Sequence, residues 1–367
     1  MTRREFIVSS SALAVCGCRT SGAADALRAE MRRCIDAGLY SGLAVGSSDI
    51  APLVAGARTL DGRLAVTAET LFDLASVGKT QTAALCALLV ADGRLDPDAP
   101  FTDYLSEHVL AKENCRISVR DLATHSGGFD NAKPYKLADQ KRMFEEIYRK
   151  RPVWPRGEKF HYACSNFLYL GLIVEKLTGL DLDLAAKRML WGPLGMRNTT
   201  WNAVTGDGNV MEYARSTYEG APRRIGEHND ICCHLAPRPM GNGSCFSTCG
   251  DMLKFATDLL RREKFPKAYY DLLFAESFRK DAVRRTFGFA MPASAYFSER
   301  AIAHGGWTGP YLLVDPARDF AGVVMGNRTG ARDSAYSSRE RLMERLCQCA
   351  DKGVCCNADM VKGTGDK

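Results

Sequence analysis

Leu71 to Val90 reads LFDLASVGKTQTAALCALLV, with the tetrad Ser76-Val77-Gly78-Lys79 at its centre. Leu71 to Ala75 is a short apolar run. From Thr80 onward the pattern becomes a run of Ala and Leu, good helix formers and apolar nearly all round, which predicts a buried helix. Ser76 falls on the first turn of that helix, and Lys79, three residues on, shares its face one turn away. An ammonium or a desolvated amine held against a serine hydroxyl turns a weak nucleophile into a strong one. The N–H groups of a helix start can also face a developing oxyanion. Ser-x-x-Lys alone is a cheap pattern, equally met by an N-cap serine and a surface lysine. Its location gives it weight here, because a helix without a polar face has no place for an exposed lysine.

The chain around this stretch has 367 residues, enough for a large core in one domain or two interleaved lobes. At 46% hydrophobic and 25% charged, with no low-complexity tract, it has an ordinary globular composition. The net charge is +6, but the basic pairs such as Arg32-Arg33 and Arg284-Arg285 are scattered and lack interleaved aromatics. This pattern reads as solvated surface and argues against a nucleic-acid partner.

Residues 1–24 read as an export signal. Thr2-Arg3-Arg4-Glu5-Phe6-Ile7 resembles a twin-arginine signal, followed by a short apolar region from Phe6 to Val15. Val15-Cys16-Gly17-Cys18 resembles a lipoprotein processing box with Cys18 as the lipidated residue; a plain cleavage a few residues later is the competing reading. The expectation is an exported, periplasmic or cell-envelope protein, soluble or tethered by its N-terminus through Cys18. Of the 14 cysteines, twelve remain once Cys16 and Cys18 are set aside. The tail, residues 351–367, carries Cys355-Cys356 but has neither the two-residue Cys spacers nor the histidine of a zinc site. Export favours disulfides instead. Cys86, inside the apolar helix, reads as a plain core residue.

Helical patterns run over Ala23–Ala37, Ile117–Leu122, Lys136–Lys150, the stretch HYACSNFLYLGLIVEKLTG up to Gly179, Leu182–Trp191, Gly250–Arg262 and Ser337–Cys349. Ser41–Ser48 and Ala51–Leu60 read as a strand pair. Four further strand candidates are Phe287–Met291, Ala301–His304, Tyr311–Val314 and Phe320–Met325, with Pro316-Ala317-Arg318-Asp319 as a hairpin turn between the last two. The region 201–250, rich in Gly, Pro and Asn, reads as ordered loop. Strands at both ends with helices between them predict an α+β fold: an antiparallel sheet flanked by helices and interrupted by an all-helical insertion. Residues 25–350 would be a single domain, its sheet lobe drawn from about 25–75 and 240–350 and its helical lobe from about 76–239.

Several stretches now carry a family. Thr70 to Lys79, Leu122-Ala123-Thr124-His125-Ser126-Gly127-Gly128, Gly157-Glu158-Lys159-Phe160, Pro193-Leu194-Gly195-Met196, Phe246-Ser247-Thr248 and His304-Gly305-Gly306 follow one another in a familiar order and spacing. From about Ser41 to Asn327 the chain resembles the serine β-lactamase and penicillin-binding-protein superfamily, within it the class C-like group of β-lactamases, D-alanyl-D-alanine carboxypeptidases and peptidases, and carboxylesterases. The resemblance implies a β-lactamase/transpeptidase-like fold. It implies Ser76 as the acylated nucleophile, Lys79 as its proton-transfer partner and Tyr162 as the tyrosine of a Tyr-x-Asn motif. A phenol beside an ammonium is expected to have a lowered pKa and to act as a general base. His304-Gly305-Gly306 stands where the family has Lys-Thr-Gly or His-x-Gly, and the strand backbone beside Trp307 would give the second oxyanion donor.

There are departures from the pattern. In Tyr162-Ala163-Cys164 a cysteine replaces the asparagine, and a thiol is a poor substitute for an amide. Asn166, two residues on, is the candidate to supply the missing substrate contact. His304 is neutral for much of the time at pH 7 and grips a substrate carboxylate less firmly than lysine. Asn229 stands in a histidine's place within Gly226-Glu227-His228-Asn229-Asp230. His125 reads as structural, and His108, His161, His228 and His234 have no metal spacing. An α/β-hydrolase reading of His304-Gly305-Gly306-Trp307 fails, because Leu74 and not glycine precedes Ser76 by two and no serine elbow follows that loop.

The expectation is a monomeric exported serine hydrolase, without metal or organic cofactor, acting through a Ser76 acyl-enzyme on an ester or peptide-amide bond of a small-molecule or peptidoglycan-type substrate. The alternatives are a true class C-like β-lactamase and a penicillin-recognising sensor or scaffold that has lost turnover.

Overall fold

Apolar alternation at the two ends of the chain brings them together in one sheet. This computed structural model describes residues 22–351 except 114, 132–139, 207, 214–224, 237 and 293, so residues 1–21 of the expected export segment, Cys18 among them, and the Cys355-Cys356 tail lie outside the described residues. Helix α1 (Gly22–Asp36) leads into strands β1 (Tyr40–Ser47) and β2 (Ile50–Gly56), then the two-residue β3 (Phe72–Asp73) and helix α2 (Gly78–Ala91). The helical part follows as α3 (Val119–Thr124), α4 (Gln140–Arg149), α5 (Cys164–Thr178), α6 (Leu182–Ala186), α7 (Gly192–Leu194) and α8 (Ile231–Leu235). The chain returns through β4 (Phe246–Ser247), α9 (Cys249–Arg261), α10 (Lys267–Phe274) and the hairpin β5 (Phe278–Lys280) and β6 (Val283–Arg285). It ends with β7 (Ile302–Gly305), β8 (Tyr311–Asp315), β9 (Phe320–Arg328) and α11 (Arg332–Asp351).

The main sheet has the order β2-β1-β9-β8-β7, antiparallel throughout. Both faces are covered, and period two sorts the side chains between them. Leu43, Val45, Leu313 and Val324 belong to the core under α1 and α11, while Ala44, Leu312, Val314, Val323 and Met325 belong to the core shared with the helical part. Pairs such as Val45↔Val324 fix the register, because a slip by one residue would exchange the two faces.

Helix α2 is the axis of the helical part. Every residue from Gly78 to Leu89 is buried, and the helix packs against α5 and α10. Each buried leucine there is worth about 1.5–3 kcal/mol of transfer free energy. The short pair β3–β4, with Phe72↔Ser247 and Asp73↔Phe246, ties the entry of α2 to the return of the chain. That pairing sets Ser76 on the seam between sheet and helices.

Some elements differ from expectation. Phe287–Met291 makes only two isolated bridges, both at Ala290 (to Arg285 and to Ala303), because the N–H of Gly288 turns to the carbonyl of Ala123 in α3. The pattern over Leu182–Trp191 widens into a π turn at Lys187–Trp191, and Trp191 Nε1 donates to Gln81 Oε1 of α2 at 3.0 Å. The region 201–250 holds α8, whose start is capped by the Asp230 carboxylate accepting from Cys232 N–H at 2.9 Å. The expected disulfides are a correction: none joins the described cysteines. All but Cys115 are buried, most of them in the apolar core as small hydrophobes, and burial pushes the thiols of Cys86, Cys233 and Cys245 up in pKa, away from the thiolate.

Candidate active site

Ser76 is set on its turn by the residues before it. Ala75 has φ 46, left-handed backbone that costs a non-glycine residue about 1–2 kcal/mol. Asp73 Oδ1 accepts from Ala75 N–H at 2.7 Å, and the Ala75 carbonyl accepts from Ser244 N–H at 3.0 Å. Gly243 runs against the same turn, and a Cβ there would lie 2.5 Å from the Ala75 carbonyl oxygen. Glycine is the residue that fits.

Lys79 is fully buried one helical turn on. Its Nζ donates to Ser76 Oγ at 3.2 Å, approaches Cys164 Sγ at 3.7 Å and donates to the Asn242 carbonyl oxygen. Burial works against the ammonium, but Cys164 and Tyr162 beside it prevail and raise its pKa. From the far side, Tyr162 Oη donates to Ser76 Oγ at 2.7 Å, with its ring 5.0 Å from Lys79 Nζ. The expected lowering of the Tyr162 pKa is corrected. Burial outweighs the neighbouring ammonium and pushes the phenol up, so Tyr162 rests as a neutral donor.

His125 is a strut beneath Tyr162. Their rings lie 4.5 Å apart, and His125 Nδ1 meets Asn166 Nδ2 at 3.0 Å and the N–H of Ala163 at 3.3 Å. Asn166 is therefore corrected as a substrate contact: it is 0% exposed on α5, its amide is turned to His125, and it does not line the cleft. Two residues on from Cys164 along α5, Asn166 falls on a different helix face from the one that opens to the cleft.

Ser76 opens into a cleft of about 120 Å³ lined by Asn131, Tyr162, Cys164, Asn242 and Trp307 among others. Cys164 occupies the wall where an amide was expected, and its backbone N–H donates to Asn131 Oδ1 at 2.9 Å. Trp307 faces the cleft just past β7, under the Arg328 guanidinium, 4.4 Å from its ring. Gly306 N–H is spent on the Pro310 carbonyl at 2.7 Å, and a Cβ on Gly306 would lie 2.6 Å from the Leu74 carbonyl oxygen. Gly305 lies against the Arg339 guanidinium. His304 is buried behind this wall, outside the cleft lining, with Nδ1 and the Gly305 carbonyl oxygen 3.1 Å apart. Burial, then the charges of Arg285 and Lys79, hold its imidazole well below the usual histidine pKa, and it is neutral.

Sequence reasoning did not find Asp73, Asn131 or Asn242. A Gly-Asn-Gly-Ser run at 241–244 was the one available signal for Asn242, since closely spaced glycines mark backbone that approaches something. Among the described residues no group of three or more His, Cys, Asp or Glu side chains is arranged to hold a metal, and no helix is long and apolar enough to cross a membrane.

Comparison with known proteins agrees with this architecture. The family model described as Beta-lactamase matches residues 31–344. A protein of Escherichia coli O157:H7 named "Putative D-alanyl-D-alanine carboxypeptidase" is 26% identical over 308 residues, covering 71% of this chain and 70% of its own. A protein of the same name from Salmonella schwarzengrund is 24% identical over 316 residues, covering 74% and 73%. Among solved structures, the octameric penicillin-binding protein homologue from Pyrococcus abyssi has a TM-score of 0.75 at 18% identity, over 90% of this chain and 78% of that one. EstCE1, described as a hydrolase with promiscuous acyltransferase activity, also has a TM-score of 0.75, at 19% identity over 89% and 98%. The chain belongs to the Beta-lactamase family, within the serine β-lactamase and penicillin-binding-protein superfamily.

Proposed function

We propose that the protein is an exported serine hydrolase that forms an acyl-enzyme on Ser76 and releases it to water, acting on an ester or a small peptide amide. One observation carries this reading: Ser76 Oγ lies 2.7 Å from Tyr162 Oη and 3.2 Å from Lys79 Nζ at the mouth of an open cleft. The carboxypeptidase name of the sequence relatives supports a D-aminoacyl amide within that range.

The chemistry follows from the two donors. In the resting state Tyr162 and the Lys79 ammonium both point a proton at Ser76 Oγ, so the reactive form is the one in which the pair has lost a proton. That form accepts the Ser76 proton as Oγ attacks the scissile carbonyl. The pair then hands the proton to the departing alcohol or amine, leaving the acyl-enzyme. Water repeats the sequence, giving its proton to the pair, and Ser76 takes one back as the carboxylate leaves. The backbone N–H groups of Ser76 and Trp307, which both line the cleft, are the proposed donors to the tetrahedral oxyanion; losing one such donor costs about 3–4 kcal/mol. His304, neutral and buried, supports the strand that presents Trp307.

Steady-state hydrolysis of short-chain nitrophenyl esters and of D-alanyl-D-alanine peptides, with Ser76→Ala as the control, tests this reading. Turnover of one class that vanishes in the variant supports it. Turnover of neither, or turnover that survives the substitution, defeats it.

A further inference from the structure

Lys79 Nζ meets Ser76 Oγ at 3.2 Å, Cys164 Sγ at 3.7 Å and the backbone carbonyl oxygen of Asn242. A thiol is a weak partner for an ammonium, whereas a carbonyl is a strong acceptor. Where the Asn242 carbonyl stands therefore sets where the amine stands. Asn242 belongs to the segment Gly241–Ser244, which runs along the start of α2. Thr82 Oγ1 donates to the Gly241 carbonyl at 2.8 Å, and the Ser244 N–H donates to the Ala75 carbonyl at 3.0 Å.

This segment is neither helix nor strand. Gly243 at φ 141 and Ser244 at φ 52 follow one another in left-handed backbone. For a non-glycine residue such as Ser244 this costs about 1–2 kcal/mol, and it persists only where the surroundings over-determine it. The first turn of α8 supplies those surroundings. Asp230 Oδ1 accepts from Asn242 Nδ2 at 3.1 Å, and the Asp230 N–H donates to Ser244 Oγ at 3.2 Å. Cys233 Sγ lies 3.5 Å from Asn242 Oδ1 and 3.6 Å from the Gly243 carbonyl oxygen. Asp230 Oδ1 also caps α8, accepting from the Cys232 and Cys233 N–H groups at 2.9 and 3.4 Å. Its bond to Asn242 is no part of capping, for which a serine oxygen suffices.

We propose that Asp230 is a positioning residue for Lys79: its carboxylate clasps the Asn242 side chain, and the Asn242 carbonyl in turn holds the amine within reach of Ser76. Its effect on rate rests on the acyl-enzyme reading above; the place of the amine rests on the hydrogen bonds alone. Burial works against the Lys79 ammonium, and Cys164, Tyr162 and, after them, the Asp230 charge favour it. Charge and clasp are therefore tested apart.

Asn242→Ala removes the clasp and leaves the Asp230 charge. Asp230→Asn removes the charge and leaves an oxygen that caps α8 and accepts from Asn242. Asp230→Ser keeps a cap but is too short to reach Asn242, so it removes both. Circular dichroism and thermal unfolding check that each variant folds; if Asp230→Ser does not, Asn242→Ala against Asp230→Asn still decides. On a short-chain nitrophenyl ester, Asn242→Ala and Asp230→Ser are each expected to lower kcat roughly ten- to hundredfold, the range for a misplaced reacting group, with KM little changed. The double variant should be no slower than either alone, because both remove one link. Asp230→Asn should bring kcat back close to the wild-type value. A loss in Asp230→Asn that Asn242→Ala does not share would assign the effect to charge and overturn the proposal, as would losses that add in the double variant.

The carbon NMR resonance of Lys79 Cε, assigned with Lys79→Arg, reads the same contact without turnover. It is expected to move alike in Asn242→Ala and Asp230→Ser and to return towards its wild-type place in Asp230→Asn. If the resonance follows this pattern in a protein without Ser76-dependent turnover, the acyl-enzyme reading fails and the clasp stands. If turnover depends on Ser76 but neither kcat nor the resonance responds to Asn242→Ala, the clasp fails and that reading stands.

Discussion

Asp73 Oδ1 accepts the backbone N–H of Ala75 at 2.7 Å, while Asp73 Oδ2 accepts that of Asn229 at 2.7 Å. One buried carboxylate therefore fixes the strained residue before Ser76 to the loop on the far side of the cleft. The Asp73 carbonyl also accepts from Thr308 Oγ1 at 2.9 Å, next to Trp307. Asp73→Asn replaces one acceptor with a donor aimed at an N–H, at a cost of about 1–3 kcal/mol. It is expected to lower kcat by roughly ten- to hundredfold through misplacement of Ser76, while the protein remains folded by circular dichroism. An unchanged kcat would remove Asp73 from the positioning of the nucleophile.

The same carboxylate makes stability depend on pH. Burial pushes the Asp73 pKa from 3.8 up to about 6, against the pull of the Asn229 and Ala75 N–H groups. The folded state then binds the proton more tightly than the unfolded state. Its contribution to stability is full below 3.8 and declines as pH rises through about 6, by at most roughly 1.4 kcal/mol per pH unit. Urea unfolding between pH 4 and pH 6.5 should show this component in the wild type and not in Asp73→Asn. Equal pH slopes in the two proteins would contradict it.

Because the pKa values of Tyr162 and Lys79 are both raised, the proton-deficient pair is scarce at neutral pH. On an ester substrate kcat/KM is expected to climb about tenfold per pH unit from pH 6 to 8, after correction for spontaneous hydrolysis. Tyr162→Phe should lower it by about 10²–10⁴-fold. A wild-type profile already flat at pH 6.5 would mean that the pair loses its proton far more easily than the raised pKa values of both groups imply.

Cys164 Sγ lies 3.7 Å from Lys79 Nζ on the cleft wall. Cys164→Asn puts an amide where a substrate amide carbonyl can be met, and each such hydrogen bond is worth about 0.5–1.5 kcal/mol. Penicillin acylation and D-aminoacyl amide turnover should rise by up to about tenfold, with ester turnover little changed. A fall in all three would show that the thiol is itself required.

What could be foreseen followed the range of the interactions. Ser76 and Lys79 lie within one helical turn, and the apolar run after them announces burial, so their relation is local. Tyr162 is 86 residues from Ser76 along the chain, and only the ordered spacing of several motifs points to it. Asp73 and Asn242 act through backbone contacts, which leave no mark in residue order. The expected lowering of the Tyr162 pKa failed for the same reason: a nearby ammonium can be guessed, but the depth of burial that outweighs it cannot. The expectation of export argued for disulfides, yet Cys245 and Cys249 sit among apolar neighbours, as expected of Cys86.

Covalent labelling of Ser76 reads the central claim most directly. Intact-protein mass would be recorded after incubation with a fluorophosphonate and, separately, with a fluorescent penicillin, for the wild type and Ser76→Ala. The account predicts a fluorophosphonate adduct of one equivalent on the wild type and none on the variant, with the penicillin adduct accumulating only if deacylation is slow. No adduct and no consumption of either reagent by the wild type, or an adduct that survives Ser76→Ala, would contradict it.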